Sequence, residues 1–377
     1  IMRIYTFIYS AFYFVKQAFS KKHYQIIFYA PHHFNRGENA ENLFFKELLG
    51  ICKKQRISYL YFEEPDVYSN QRRSRIAIPF DCIYYLVILL RKLMGSEMSY
   101  IEIDKKIGSF VQKIFFRRVT FDNYITISQS MLSFFSGINC DAKQFDLQHG
   151  TIHAKKESYL NDGLVSENLK ENDTHLLLSG VAYKELLTKN EKENYFQDHA
   201  EVIGTSMFSE YNVKPSEANK NVLVSLQFTH DHSDSENKQI SLTLEKLIKK
   251  EPTFHFYLRN HPRFNNEIDL DRFLSFSNAS VIQGNLQDNF SKCRLHLTTY
   301  STTVFEAALQ GIPTCFLHSE SSKMNIFSSQ YYYPFHNASL SELYKNYSIL
   351  SLQVKGWANK FYQPLNKDAF LKALNHS

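Results

Sequence analysis

A chain of 377 residues is too long for one ordinary hydrophobic core and suits two α/β domains of about 150–200 residues each. Its 44% apolar and 21% charged residues are typical of a globular protein, and its five cysteines, none spaced C-x-x-C, fit a reduced compartment better than a disulfide framework. Four of the five net positive charges sit on Arg3, Lys16, Lys21 and Lys22, so the rest of the chain is close to neutral, which argues against a nucleic-acid-binding surface.

Residues 1–23 form a basic segment, strongly aromatic from Ile4 to Val15. Its apolar run is shorter than the roughly 20 residues a spanning helix needs, and it lacks the small-residue cleavage site of a removed signal peptide. Such a helix either lies in the headgroup plane of a membrane or packs on the first domain. That domain is expected over 24–210. Tyr24–Ala30 reads as a buried strand, the polar loop His32–Asn39 leads into a helix over Glu41–Lys53, and Ile57–Phe62 completes a βαβ unit. Within a helical region over 80–118, Cys82–Leu90 is apolar and reads as a buried core helix. Tyr124–Ser128, a helix near Met131–Phe135 and Phe145–Gln148 form a second such unit. Residues 151–172 are polar and without periodicity, a long loop of the kind that is functional or disordered. Thr174–Ser179, a helix through Leu187 and Ala200–Ile203 close the domain, and Tyr211–Lys220 reads as a linker.

The second domain, 211–377, opens with a strand over Val222–Gln227 and a helix around Ser241–Lys250. Phe254–Arg259, Ser280–Gln283, Arg294–Thr298 and Pro313–Leu317 supply further parallel strands. The tail, with Trp357, Phe361 and a helix from Lys367 to Leu374, is expected to cross back to the first domain.

Three strand ends carry chemistry. Leu297–Leu317 reads as strand, hydroxyl-rich turn, short helix, glycine stop and second strand. Ser301 or Thr302 caps the helix, Gly311 suits a left-handed C′ position, and Pro313 prevents continuation. The helix start, Ser301-Thr302-Thr303, offers amides and a positive dipole end to an anion, with Glu306 one turn in. Phe254–Pro262 places Arg259 and His261 at the end of a buried strand, where ligands of open α/β sheets sit. Phe145–His153 ends its strand in Gln148, His149 and Gly150. Asp269 and Asp271 have DxD spacing but open a predicted helix, and His230-Asp231-His232 lacks a third metal ligand, so neither reads as a metal site.

The order of these motifs resembles the GT-B-fold transferases of bacterial surface polysaccharides. These include capsule and lipopolysaccharide glycosyltransferases, sialyl- and Kdo-transferases, and the related teichoic-acid glycerophosphotransferases. The resemblance rests on Gln148-His149-Gly150, Val202-Ile203-Gly204, the strand Val222–Leu226, His261-Pro262, Ser301-Thr302 and Phe305-Glu306-Ala307. Two departures stand out: Asn161-Asp162-Gly163 lacks the first acid of the sialyltransferase motif, and Gln148 replaces a glycerophosphotransferase tryptophan.

The resemblance implies an α/β fold, GT-B-like, with two Rossmann-like parallel-sheet domains facing a central cleft. It implies a glycosyltransferase moving a sugar from a nucleotide-sugar donor to a glycan or lipid-linked glycan acceptor, without metal or other cofactor. Arg259 with Ser301, Thr302 and Thr303 would clamp the donor phosphates, His261 would contact phosphate or ribose, and Glu306 would accept ribose hydroxyls. His149 would be the general base, because imidazole titrates near neutral pH, with His153 and Asp162 as rivals for that role. The expected setting is cytoplasmic, peripheral on the anionic inner face of the membrane, with no nucleic-acid partner. Transfer of a polyol phosphate from a CDP donor, a nucleotide-sugar 2-epimerase and an inactive scaffold are the competing readings.

Overall fold

The computed structural model describes residues 2–66, 68–69, 71–95, 98–207, 219–317 and 325–375, with the backbone alone at residues 2, 3 and 38. Of the expected linker Tyr211–Lys220, all but the last two residues lie outside the described residues. The chain divides into two compact units, Ile1–Met207 with Gln363–Ser377, and Phe208–Tyr362.

The first unit opens with α1 (Met2–Ala18), β1 (Lys22–Pro31), α2 (Lys46–Lys54) and β2 (Tyr59–Glu64). Then come β3 (Ile78–Pro79), α3 (Asp81–Leu93), α4 (Tyr100–Phe115) and β4 (Val119–Ile127). These lead to α5 (Leu132–Ile138), β5 (Lys143–Leu147), a hairpin of β6 (Leu160–Asn161) and β7 (Leu164–Val165), and α6 (Glu167–Glu171). The run closes with β8 (Thr174–Leu178), α7 (Val181–Asn190) and β9 (Ala200–Val202). Seven strands form one parallel sheet in the order β3-β2-β1-β4-β5-β8-β9. Ile26–Ala30 of β1 are wholly buried, because helices cover both faces of a parallel sheet and leave no solvent side for alternation. Glycines let α4 and α5 touch: a Cβ on Gly108 would lie 2.1 Å from the Phe134 carbonyl oxygen, and one on Gly137 2.1 Å from that of Lys105.

Helix α1 packs on the first unit along one face. Phe14 packs among Phe62, Phe80 and Phe116, Thr6 donates to Asp81 at 2.9 Å, and Ser10 accepts from the Cys82 amide at 3.1 Å. On another face Ile4, Ile8, Phe12 and Val15, spaced three or four apart, form an apolar stripe turned outward, with Phe12 69% exposed, and Phe19 just past the helix end is 76% exposed. The Cys82–Leu90 segment is not a fully buried helix. Ile83 and Val87 face inward, but Tyr85, Leu89 and Leu93 are exposed, since a helix apolar all round can bury only the stripe its neighbours reach. Nor is 151–172 a featureless loop: it holds the β6–β7 hairpin and α6. Helix α2 begins later than its amphipathic pattern suggests, because Asn42 Oδ1 accepts from the amides of Phe44 and Phe45, at 3.0 and 3.2 Å, and fixes a turn there.

The second unit contains β10 (Asn221–Ser225), α8 (Asp234–Lys250), β11 (His255–Arg259), α9 (Asp271–Leu274) and β12 (Ala279–Val281). It continues through α10 (Leu286–Ser291), β13 (Leu295–Thr298), α11 (Thr303–Leu309) and β14 (Thr314–Phe316). It ends with α12 (Ile326–Ser329), α13 (Leu340–Lys345) and α14 (Tyr347–Phe361). Its five strands are parallel, in the order β12-β11-β10-β13-β14. Helix α8 starts a full turn or more before Ser241 because Ser233 and Glu236 form a reciprocal capping box. Trp357 and Phe361 belong to this unit's own core: Trp357 stacks on Phe305 with centroids 4.9 Å apart and donates to the Tyr331 carbonyl at 2.7 Å. That stack anchors α11, the helix of the hydroxyl-rich motif. The segment that belongs to the first unit is Gln363–Ser377, where α15 (Lys367–Asn375) buries Phe370 and Ala373 in its core.

Candidate functional site

In the second unit the strand order reverses between β10 and β13, the place where open parallel sheets open a crevice at their C-terminal edge. The register aligns Ser225 with Arg259 and Val224 with Leu297, so the ends of β10, β11 and β13 are level. Arg259, His261 and the Ser301–Thr303 turn therefore all lie on this one edge, with Glu306 one turn into α11. Gln227 organises the crevice. Its Oε1 accepts from Thr298 Oγ1 at 3.2 Å, from Thr299 Oγ1, and from the Tyr300 amide at 3.0 Å, tying the segment after β10 to the end of β13. Beneath it His296 bonds Ser225 Oγ at 2.8 Å and Thr314 Oγ1 at 3.0 Å; complete burial pushes its imidazole down to about 3, so the ring is neutral.

The motif residues divide within this edge. Thr302 occupies the N-cap of α11 without a side-chain cap bond, and Ser301 Oγ accepts from the Thr303 amide at 3.3 Å. The amides of Val304 and Phe305 are taken by the carbonyls of Ser301 and Thr302, at 3.1 and 3.0 Å. The donors left for an anion are thus the amides of Ser301 and Thr302, which make no hydrogen bond among the described residues. Thr303 turns inward to His296, 3.3 Å away. Gly311 takes the left-handed C′ position, with φ of 74°, that lets α11 stop before Pro313. Arg259 Nε donates to Asn289 Oδ1 at 3.1 Å, which aims the guanidinium along the edge. His261 Nδ1 accepts from the Arg263 amide at 3.0 Å, so Nε2 carries the ring proton; burial, reinforced by Arg263, lowers its pKa and keeps it a neutral donor. His232 is occupied by Asn237 and Tyr300, and Asp231 by Arg263.

In the first unit the order reverses between β1 and β4. His149 follows β5 at this C-terminal edge, edge-on to Phe34 at 5.3 Å, with Nδ1 buried and without a hydrogen-bond partner. Burial, then the positive charges of Lys156, His33 and Arg36, push its pKa down to about 4. It is therefore fully unprotonated at neutral pH but a weaker base than an ordinary imidazole, contrary to the near-neutral titration expected from its type. Lys156 donates to the Thr151 carbonyl at 3.1 Å, and burial lowers the pKa of both Lys156 and His153. Gln148 is a brace: it donates to the Gly150 carbonyl at 2.8 Å and accepts from the Ser179 amide and hydroxyl at 2.9 and 3.0 Å.

Asp162 does not join His149. It forms the exposed β6–β7 turn with Gly163, at φ of 50° and 83°, the two-residue hairpin geometry that Asp-Gly favours. The Gly163 carbonyl accepts from the Lys192 amide at 2.9 Å, just past the end of α7, which places the turn toward the opposite edge of the sheet.

Sequence reasoning overlooked two carboxyls. Glu64, at the end of β2, and Asp146, within β5, are both driven up to about 7 by burial. Asp146 accepts from the Gln129 amide at 2.8 Å and from Tyr159 at 3.1 Å. Asp146 interrupts the apolar run Phe145–Leu147 and Glu64 closes β2 after the apolar Tyr59–Phe62, and an acid within or ending a buried strand was the available signal. Between them the β4–α5 turn holds three non-glycine residues at positive φ: Ser128 at 63°, Gln129 at 54° and Met131 at 57°. Strain of this kind concentrates at functional sites. The turn borders a cavity of about 410 Å³ lined by Glu64, Tyr84, Arg91, Tyr100, Gln129 and Ser133. A second cavity of about 340 Å³ is lined by Asn35, Asn39, Gln71, Arg72, Arg73 and Arg75; Arg73 is paired with Glu63 and Asp81, and Arg72 and Arg75 give the cavity the chemistry for an anionic group.

No family model and no curated protein sequence matches the chain. Solved structures do. The chain is similar to the UDP-GlcNAc 2-epimerase of Methanocaldococcus jannaschii at 12% identity and a TM-score of 0.54, over 94% of this chain and 100% of that one. It is similar to the UDP-GlcNAc 2-epimerase of Neisseria meningitidis, solved bound to UDP-GlcNAc, at 12% identity and a TM-score of 0.51, over 93% and 99%. The wall teichoic acid polymerase TagF aligns at 13% identity and a TM-score of 0.50, over 99% and 91%. Together with the two parallel sheets these likenesses define a GT-B-like α/β fold.

Proposed function

We propose that this chain is a glycosyltransferase that moves a sugar from a nucleotide-sugar to a hydroxyl of a surface glycan, of capsule or lipopolysaccharide type. The observation that carries the reading is the C-terminal edge of the second sheet. There the Ser301 and Thr302 amides, Arg259 and the Nε2 proton of His261 lie on one strand-end row, over a crevice held open by Gln227. Those donors suit a diphosphate, and Glu306 on α11 is an acceptor for ribose hydroxyls. Their positive charge and dipoles neutralise the leaving group, so we assign the reaction no metal. In the first unit His149 takes the acceptor proton. A bound phosphate would offset the neighbouring cations and raise its basicity. The outward apolar stripe of α1, with exposed Lys16, Lys21 and Lys22 and no acid on the helix, suits peripheral attachment to an anionic membrane, where a lipid-linked acceptor would be reached.

A specific observation also favours transfer of a polyol phosphate from a CDP donor. The arginine-lined cavity would accept a phosphate-bearing acceptor, and TagF is among the structural neighbours. Thermal-shift and calorimetric measurement with CMP, CDP, UDP and GDP tests both readings. Selective binding of UDP, GDP or CMP, lost on Arg259→Gln, supports sugar transfer. Selective CDP binding supports the polyol reading, and no nucleotide binding overturns both.

A further inference from the structure

At the opposite, N-terminal edge of the first sheet, three side chains converge that the proposed reaction does not use. Asp173 precedes β8, His175 is its second residue, and His199 immediately precedes β9. One ligand atom from each lies within 4.8 Å of the others. Since β8 has five residues, this cluster is separated from Ser179 at the far strand end by about 17 Å.

The hydrogen bonding of His199 is unbalanced. Its Nδ1 lies 3.0 Å from the Tyr195 carbonyl oxygen and its Nε2 2.8 Å from Asp173 Oδ1. Both partners are pure acceptors, whereas a neutral imidazole has one proton to donate. With that proton on Nδ1, Nε2 turns a lone pair toward a carboxylate, an arrangement that a cation bound by both would complement; with the proton on Nε2 the ring donates to Asp173 and its Nδ1 faces a carbonyl oxygen. The Nδ1–carbonyl bond is also the outer contact that commonly orients a metal-bound histidine. Tyr195 holds the ring further, stacked at 3.9 Å and 9°.

His175 adds a second imidazole, its ring centroid 4.7 Å from that of His199, with Nδ1 buried and unpartnered. Asp173 takes the left-handed conformation, with φ of 47°, that Asp tolerates, and its side chain is 85% exposed beside the His199 contact. Lys143 is the opposing charge: it acts electrostatically on both His175 and Asp173, and it donates to the Ala373 carbonyl at 3.3 Å. Two imidazoles and one carboxylate form a donor set for a borderline divalent ion, with one tetrahedral position left for water.

We propose that Asp173, His175 and His199 form a Zn²⁺ site that clips the start of β8 to the start of the edge strand β9. The site is structural in position and independent of the proposed transfer. It is tested on tag-free full-length protein, stripped with EDTA and dialysed, by titration with Zn²⁺ against a chromophoric competitor and by Co²⁺ spectroscopy. The expected result is one saturable equivalent of Zn²⁺, a raised melting temperature and the visible bands of four-coordinate Co²⁺. His175→Gln and His199→Gln should each weaken binding at least about tenfold while the metal-free melting curve stays close to wild type. Lys143→Met should tighten binding, because it removes the nearby positive charge. Cys140→Ser, which changes the exposed thiol, should leave it unchanged. Absence of saturable binding would overturn the site in favour of a simple Asp173–His199 hydrogen bond. So would histidine variants that bind like wild type, or loss of binding in Cys140→Ser.

Discussion

At the C-terminal edge of the first sheet, burial has moved three ionisable groups far from their ordinary values: His149 down to about 4, and Glu64 and Asp146 up to about 7. At the corresponding edge of the second sheet the polar groups are the Arg259 guanidinium with hydroxyls, amides and the rings of His261 and His296, organised by Gln227, and Glu306 stands one turn into α11. The first edge can exchange protons close to neutral pH. The second can present donors to an anion without changing its own charge. Under the proposed function this difference separates the two tasks of a transferase, proton removal from the acceptor and neutralisation of the leaving group, onto two units of one chain.

The largest expected effect breaks the first edge. His149→Ala and His149→Gln should each cut turnover by about 10²–10⁴-fold with little change in donor affinity, as single-turnover kinetics and calorimetry would show. A glutamine variant that keeps most activity would move the base to Glu64, which, unlike Asp146, lines the cavity at that edge. A structural counterpart is Gln148→Leu, which removes the Gln148 Oε1 acceptor from the Ser179 amide and hydroxyl. The cost should be about 2–4 kcal/mol in urea unfolding, seen as a lower midpoint at unchanged slope.

On the second edge, His261→Ala and Glu306→Ala should each weaken nucleotide binding by roughly ten- to a hundredfold, the loss of a charge-assisted hydrogen bond, while the melting temperature holds. Unchanged calorimetric affinity in both variants would remove this edge from donor binding.

The carboxyls allow a pH test. Asp146 has a folded pKa of about 7 against 3.8 for an ordinary carboxyl, so its contribution to stability is complete below about 3.8 and is lost as pH rises through about 7. Glu64 acts in the same direction, and His149, lowered to about 4, in the opposite one. Comparison with Asp146→Asn isolates one group: the variant should gain on wild type as pH rises from 4 to 7, by up to about 1.4 kcal/mol per pH unit. Parallel stability curves would show that Asp146 is not protonated in the folded protein. The smallest effect concerns attachment. Deleting residues 1–22 would uncover the Phe62–Phe80–Phe116 core around Phe14 as well as remove the stripe, so substitution is the cleaner probe. Ile8→Ser with Phe12→Ser should reduce flotation with anionic liposomes at low salt severalfold and leave melting unchanged. Equal flotation would sever the stripe from the membrane.

Local pattern made much of the fold legible. The long apolar strands, such as Tyr24–Ala30 and Phe254–Arg259, and the glycine stop at Gly311 lie where short-range rules place them, because backbone sterics and burial of a continuous apolar run act within a few residues. The polar strand ends at Arg259, His261, Ser301 and His149 were visible for the same reason. Side-chain commitments were not. Asp162 was drawn into a turn by Asp-Gly geometry and the bond from the Lys192 amide to the Gly163 carbonyl, Thr303 turned inward to His296, and the α11 amides closed on their own chain. Burial, a sum over neighbours distant in sequence, set the charge states: it weakened His149 as a base and brought Glu64 and Asp146 into the neutral range. The sequence by itself determined which strands exist and which residues end them. Tertiary structure alone decided which of those residues are desolvated, which are already bonded and which still face a ligand, because hydrogen bonding and dielectric environment depend on what packs nearby in space.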